Sequence, residues 1–165
     1  MDPRSKTGIG AYVVLNSEEI GDKPGKIDKS LIESRIVIKQ FADTSSTKLE
    51  IETALWALGE VKNAAPAINE GICLYSDSQC VCGLPGRRAK LESRGFVASG
   101  SGRELNHAGS YRKFYSLAEE LSLDVIKVKG HMPQGTHDGI HRVFSILDRF
   151  VRQELRALIR DSLTN

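Results

Sequence analysis

Two short apolar runs separated by helix-forming sequence constrain this chain most. Residues 71–75 (GICLY) and 123–128 (LDVIKV) each fit a buried strand, and helical patterns fill the stretch between them. Strands joined through helices return parallel, by right-handed crossovers. The first third reads differently. Residues 8–15 (GIGAYVVL) are short, apolar and small, residues 16–26 carry the turn signal Gly21, Asp22, Pro24 and Gly25, and residues 30–41 contain the β-branched run Ile36-Val37-Ile38. That pattern predicts neighbouring antiparallel strands. The order is three strands, helix, strand, short helices, strand, helix. The expected architecture is α/β: a mixed five-stranded sheet, an antiparallel meander joined to parallel strands, flanked by helices.

The helices announce themselves by their caps and stripes. Residues 42–47 are rich in Ser and Thr and suit a helix start, and residues 48–61 (KLEIETALWALGEV) are mostly helix formers that Ala65-Pro66 ends. Ser76-Asp77-Ser78 offers polar caps for a short helix that Gly83 and Pro85 would stop. A basic helix is expected over 87–94, closed by Gly95, followed by a Gly/Ser-rich loop over 99–109. Ser110 can cap a helix with Tyr111, Phe114, Ala118 and Leu121 on one stripe. The last helix, 141–163, carries Phe144, Leu147, Val151, Leu155 and Leu158 at helical spacing. With no internal repeat and no linker-like boundary, a single domain over 1–165 is expected.

Composition narrows the class. The chain has 165 residues, 40% of them apolar and 27% charged, which is ordinary for a globular protein with its own core. No apolar run approaches membrane-spanning length, and Met1-Asp2-Pro3-Arg4 lacks the apolar stretch of a signal peptide, so a cytoplasmic location is expected. Cys73, Cys80 and Cys82 are odd in number and closely spaced, which argues for reduced, partly buried thiols rather than a disulfide framework or a zinc site. The net charge of +2 does not by itself announce nucleic-acid binding. Locally, Arg87, Arg88, Lys90 and Arg94 fall together, and Lys127 and Lys129 flank Val128. Such groups suit phosphates, although a solvated face is the commoner role of a charge cluster.

Acidic residues fall where the core should be. Glu50 lies early in the first long helix, with the small residues Ala54 and Ala57 on its face; Thr47-Lys48-Leu49-Glu50 also matches a capping box, in which Glu50 would only reach back to the helix start. Asp77 directly follows the strand-like run 72–75, and ligand sites in open α/β sheets gather at the carboxyl ends of strands; an Asp there also serves as a helix N-cap. Asp148 edges the apolar stripe of the last helix and stands four residues before Arg152, a possible surface partner. His131 leaves a strand into a flexible connection, where a histidine suits proton transfer or simple exposure. His131, His137 and His141 do not have the spacing of a standard zinc helix motif. Converging carboxylates suit hard divalent ions, which offset their mutual repulsion.

Taken together, the segments GIGAYVV, STKLEIETALWAL, LYSDSQCV, VIKVKGH and FSILDRFVR, in this order over residues 8–156, resemble the ribonuclease H family (type 1). The resemblance implies an endoribonuclease that hydrolyses the RNA strand of RNA–DNA hybrids with two Mg²⁺ or Mn²⁺ ions. No membrane association is expected from the apolar pattern, and no obligate protein partner is evident in the sequence. By the same resemblance Glu50, Asp77 and Asp148 are metal ligands. His131 is the mobile-loop histidine of the Gly-His pair. Gln79 contacts the hybrid, and Ser46 and Thr47 lie near positions that touch its minor groove. Arg87 and Arg88 stand where some members carry a basic handle.

Two departures follow from the comparison of segments. The family's first catalytic aspartate lies in a first strand upstream of the equivalent of Gly10, and here Asp2, followed by Pro3, belongs to the turn; that strand and its aspartate are expected upstream of Met1. The connection from His131 to Asp148 is long, which makes Asp138 an outside candidate. Rival readings are a non-catalytic nucleic-acid-binding module on the same fold and a related nuclease acting on DNA. The Gly-His and Asp-Ser-Gln segments favour ribonuclease H over the latter, through resemblance.

Overall fold

The small residues Gly8, Gly10 and Ala11, with Ile9, form a strand as expected. The computed structural model describes residues 6–20, 27–64, 71–129 and 139–164. In chain order the elements are β1 (Gly8–Tyr12), α1 (Ser17–Ile20), α2 (Lys29–Arg35), β2 (Val37–Phe41), α3 (Ser46–Ala64), β3 (Ile72–Ser76), α4 (Gln79–Cys82), α5 (Leu84–Ser93), α6 (Ala108–Glu120), β4 (Leu123–Lys127) and α7 (Gly139–Thr164). The chain forms two compact units, one of Met1–Leu49 with Val128–Asn165 and one of Glu50–Lys127. None of the described helices is long and apolar enough to cross a membrane.

In the first unit β1 pairs antiparallel with β2, Gly8 opposite Phe41 and Tyr12 opposite Val37. Gly8 matters through its missing side chain: a Cβ there would stand 2.5 Å from Leu49 Cδ2. The strand expected over 30–41 is corrected. Its first half is α2, and only the second half is extended. Asp28 is the reason. Its Oδ1 accepts from Ser30 N at 2.8 Å and Leu31 N at 3.3 Å, which satisfies two of the orphan donors at the helix start. Lys29 and Glu33 add a pair at i,i+4 spacing. The β-branched run Ile36-Val37-Ile38 then returns the chain to strand. α7 buries Val143 and Ile146 with Ile27 and Ile32, and Val13, Leu15 and Ile36 pack against that cluster.

In the second unit β3 and β4 are parallel, Ile72 opposite Leu123 and Ser76 opposite Lys127, with α4, α5 and α6 in the crossover. α3 buries Ile51, Ala54, Leu55 and Leu58 in a large cluster with Val81, Leu84, Phe114 and Leu117. Phe114, at 0% exposure, lies on the expected stripe of α6. The Tyr115 hydroxyl donates to Leu84 O at 2.9 Å, and burial pushes that phenol up, so it remains a donor. The short helix α4 ends at Cys82 with Gly83 as its C-cap, as expected, and Pro85 already belongs to the next helix. It occupies the first turn of α5, where a missing N–H costs nothing, and the basic helix therefore starts before residue 87. Gly95 closes it at φ +60 as expected. α6 begins at Ala108 rather than after Ser110, its cap position taken by His107 without a side-chain bond.

The single five-stranded sheet is also corrected. The described residues form four strands in two two-stranded sheets, one antiparallel and one parallel. Residues 29–35 are helical instead of supplying part of a meander strand, because the Asp28 cap satisfies their backbone first.

Candidate active site at the end of a parallel strand

Strand β3 ends on Ser76, and the next two residues turn the chain into α4. Ser78 organises the turn. Its Oγ accepts from Val81 N at 3.1 Å as the helix cap, while its own N–H donates to Ser76 Oγ at 3.1 Å. The same hydroxyl donates to Glu50 Oε2 on α3 at 2.6 Å. Ser78 is 8% exposed, whereas Glu50, Asp77 and Gln79 around it are exposed. One buried hydroxyl thus fixes a solvent-facing carboxylate beside a second one carried by the adjacent residue.

Both competing structural roles for these acids are filled by other residues. Ser45, not Thr47, caps α3: its Oγ accepts from Lys48 N at 3.2 Å, so Glu50 takes no part in a capping box. Ser78, not Asp77, caps α4. The Asp77 carboxylate has no hydrogen-bonding or ion-pair partner among the described residues. Cys82 donates its thiol to Ser76 O at 3.3 Å. Burial pushes that thiol up, with the nearby negative charge of Asp77 adding to the effect and Lys127 opposing it. Lys127 closes β4 opposite Ser76, which puts a cation at the same strand end.

The remaining candidates have surroundings of their own. Gln79 opens α4 and is exposed. Ser46 and Thr47 are exposed in the first turn of α3. Asp148, on α7 in the first unit, is gripped by Arg152 through Nε to Oδ1 at 3.0 Å and a second nitrogen to Oδ2 at 2.9 Å. Arg87 donates to Gly83 O and Cys80 O, capping α4, and lies over the Tyr111 ring. Arg88 reaches Glu92 and Glu119, which hold it still more firmly protonated, and it lies over Tyr115. Both guanidiniums therefore tie helices together. His131 lies outside the described residues, as do His137, Asp138, Asp2 and the turn residues Gly21 to Gly25. Cys73 is exposed, so the expectation of buried thiols holds in part, for Cys80 and Cys82.

The donor set suits a hard cation. Mg²⁺ keeps most of its waters and is commonly held by one or two carboxylates together with substrate phosphates. Glu50 and Asp77 are two carboxylates of that kind, Glu50 tied by Ser78 to the turn that carries Asp77. No three His, Cys, Asp or Glu side chains among the described residues group closely enough to hold a metal by themselves. Ser78 is the residue that sequence reasoning treated only as a cap. Its signal was the polar Ser-Asp-Ser triplet, but nothing local told which acid the hydroxyl would hold.

No protein-family model and no curated protein matches the chain. Solved structures do. A foamy viral protease-reverse transcriptase in complex with RNA/DNA hybrid aligns at 12% identity over 80% of this chain and 19% of its own, TM-score 0.50. A foamy viral protease-reverse transcriptase in complex with dsDNA aligns at 11% identity over 83% of this chain and 88% of its own, TM-score 0.50. The native Prototype Foamy Virus Protease-Reverse Transcriptase aligns at 17% identity over 89% of this chain and 20% of its own, TM-score 0.53. The chain thus spans about a fifth of two of these neighbours. At such identities the likeness is one of fold: a mixed α/β arrangement with antiparallel and parallel strands, similar to part of those proteins.

Proposed function

We propose that this chain is a ribonuclease H-like, metal-dependent nuclease that hydrolyses the RNA strand of RNA–DNA hybrids. The observation that carries the reading is the Ser78 hydroxyl fixing Glu50 at 2.6 Å beside Asp77 at a strand's carboxyl end. The fold neighbours described with an RNA/DNA hybrid and with dsDNA support a nucleic-acid partner. Glu50 and Asp77 would hold Mg²⁺ or Mn²⁺. Bound there, the ions would supply an activated water and charge compensation at the scissile phosphate, in pairs about 3.5–4 Å apart where two are present. The residues do the rest. Ser78 holds the Glu50 carboxylate through its hydroxyl. Lys127 offers positive charge to a phosphate at the strand end. Gln79, Ser46 and Thr47 offer hydrogen bonds to the hybrid, whose wide minor groove displays the 2′-hydroxyls that distinguish RNA. His131 would move a proton during product release. A ligand role for Asp148 requires it to exchange Arg152 for a cation.

The Asp148–Arg152 pair favours one second reading, a non-catalytic nucleic-acid-binding module on the same fold. A cleavage assay separates the two. The full chain is incubated with labelled RNA–DNA hybrid, duplex RNA and duplex DNA in Mg²⁺, Mn²⁺ or chelator. The nuclease reading expects metal-dependent cutting of the hybrid's RNA strand that Asp77→Asn reduces to background without altering the circular dichroism spectrum. Binding without cutting supports the module; unchanged cutting by Asp77→Asn overturns the site.

A further inference from the structure

We propose that the solvent face of α7 is a seat for the phosphate backbone of a duplex nucleic acid, built from residues other than Glu50 and Asp77. Arg142, Arg149 and Arg156 recur at seven-residue spacing on α7. Seven residues are just under two turns, so the side chains share one stripe, about 10.5 Å apart and about 21 Å from first to last. All three are exposed, and no hydrogen-bond acceptor or acid among the described residues engages them. Two shallow grooves follow the stripe. One is lined by Lys29, Arg142, Ser145, Ile146 and Arg149, the other by Ser145, Asp148, Arg149, Arg152, Gln153 and Arg156. The acids on this face are already matched: Asp148 by Arg152, and Glu33 by Lys29. Among the described residues, three guanidiniums therefore remain without a matching acid.

Their chemistry selects the partner. A guanidinium is a planar fork that meets a phosphate through two parallel hydrogen bonds. A line of about 21 Å exceeds the roughly 12 Å width of a DNA major groove, so the stripe can touch phosphates on both edges of a groove. Ser145 and Gln153 are polar and lie between the arginines. An anionic membrane is disfavoured because surface-binding helices insert an apolar face, and the buried residues of α7, Val143 and Ile146, are packed against Ile27 and Ile32. The seat carries no catalytic assignment and stands or falls for a chain that cuts nothing.

The test is fluorescence anisotropy of the full chain with a labelled RNA–DNA hybrid and with duplex DNA, in chelator and across a salt series. The combined variant Arg142→Gln, Arg149→Gln and Arg156→Gln should bind both duplexes roughly tenfold or more weakly, with a salt slope smaller by about 2–3. The matching Arg→Lys variant should fall between. Arg103→Gln, an exposed loop change in the other unit, should bind as the parent does. These exposed side chains hold nothing in the fold, and Arg149→Gln alone should lower the slope by about 1 if the combined variant folds poorly. Parental affinity and slope in the Gln variants overturn the proposal. So does a variant whose loss is confined to anionic phospholipid vesicles, which would assign the stripe to a membrane surface.

Discussion

The two units differ in how far their arginines are engaged, although Arg35 with Glu19 and Arg152 with Asp148 form ion pairs in the unit that carries α7. In the unit Glu50–Lys127, Arg87, Arg88, Arg94 and Arg112 each reach an acceptor: the carbonyls of Gly83 and Cys80, the acids Glu92 and Glu119, Ser99, and Glu104. Arg112 and Arg88 also lie over the rings of Phe96 and Tyr115. In the other unit, Arg142, Arg149 and Arg156 face solvent from α7. The cores differ likewise. One closes thirteen buried residues around Phe114, and the other gathers Ile27, Ile32, Val143 and Ile146. Positive charge that crosses an intramolecular gap is structural; the same charge left facing water is available to a ligand. A cluster of Lys and Arg in sequence, such as residues 87–94, does not reveal which it will be.

The contrast can be broken by mutation, beginning where the largest loss is expected. Phe114→Ala should cost about 3–5 kcal/mol by removing the centre of the larger core. Trp56, the chain's single tryptophan, sits in that unit and reports the urea transition. A loss below about 1 kcal/mol would mean that the core relaxes as poorly packed ones do. Ser78→Ala should cost about 0.5–2 kcal/mol as a lost helix cap. It should also lower metal-dependent cleavage about 10–100-fold by releasing Glu50; stability lost with cleavage intact would leave Ser78 a cap only. Ile146→Val, in the smaller core, should cost about 0.5–1.5 kcal/mol, and a loss equal to that of Phe114→Ala would erase the difference between the cores. Asp148→Asn should cost about 0.2–0.5 kcal/mol as an exposed i,i+4 pair. A collapse of cleavage in that variant would instead assign Asp148 to the metal site.

Thiol labelling gives the finest test. Exposed Cys73 should react with iodoacetamide first. Burial raises the Cys82 pKa, so its thiolate forms at more alkaline pH than an ordinary cysteine's and its labelling should lag. By linkage, the fold's preference for the protonated Cys82 is complete below the ordinary thiol range and is lost as pH rises through the raised value. Cys82 labelled as early as Cys73 at neutral pH would show that the turn after β3 is open.

The helices were largely legible because stripes and caps are local. The α6 stripe of Tyr111, Phe114 and Leu121 and the Gly95 stop needed only neighbours in sequence. The segment 30–41 misled because its β-branched half dominates the pattern, while the single carboxylate of Asp28 decides the other half. Asp77 could be placed at a strand end from the apolar run before it. That Glu50 is held by a residue 28 positions later could not, since long-range hydrogen bonds leave no periodicity. The fates of Arg87 and Arg88 were hidden for the same reason. Their partners lie on α4 and α6.

The most direct measurement is paramagnetic broadening by Mn²⁺ in the amide spectrum of the ¹⁵N-labelled full chain, which needs no turnover. Signals of Glu50, Asp77, Ser78 and Gln79 should fade first as Mn²⁺ is added, and Asp77→Asn or Glu50→Gln should abolish that selectivity. Broadening that starts elsewhere, or that spreads evenly over the surface, would contradict a cation held at the end of β3.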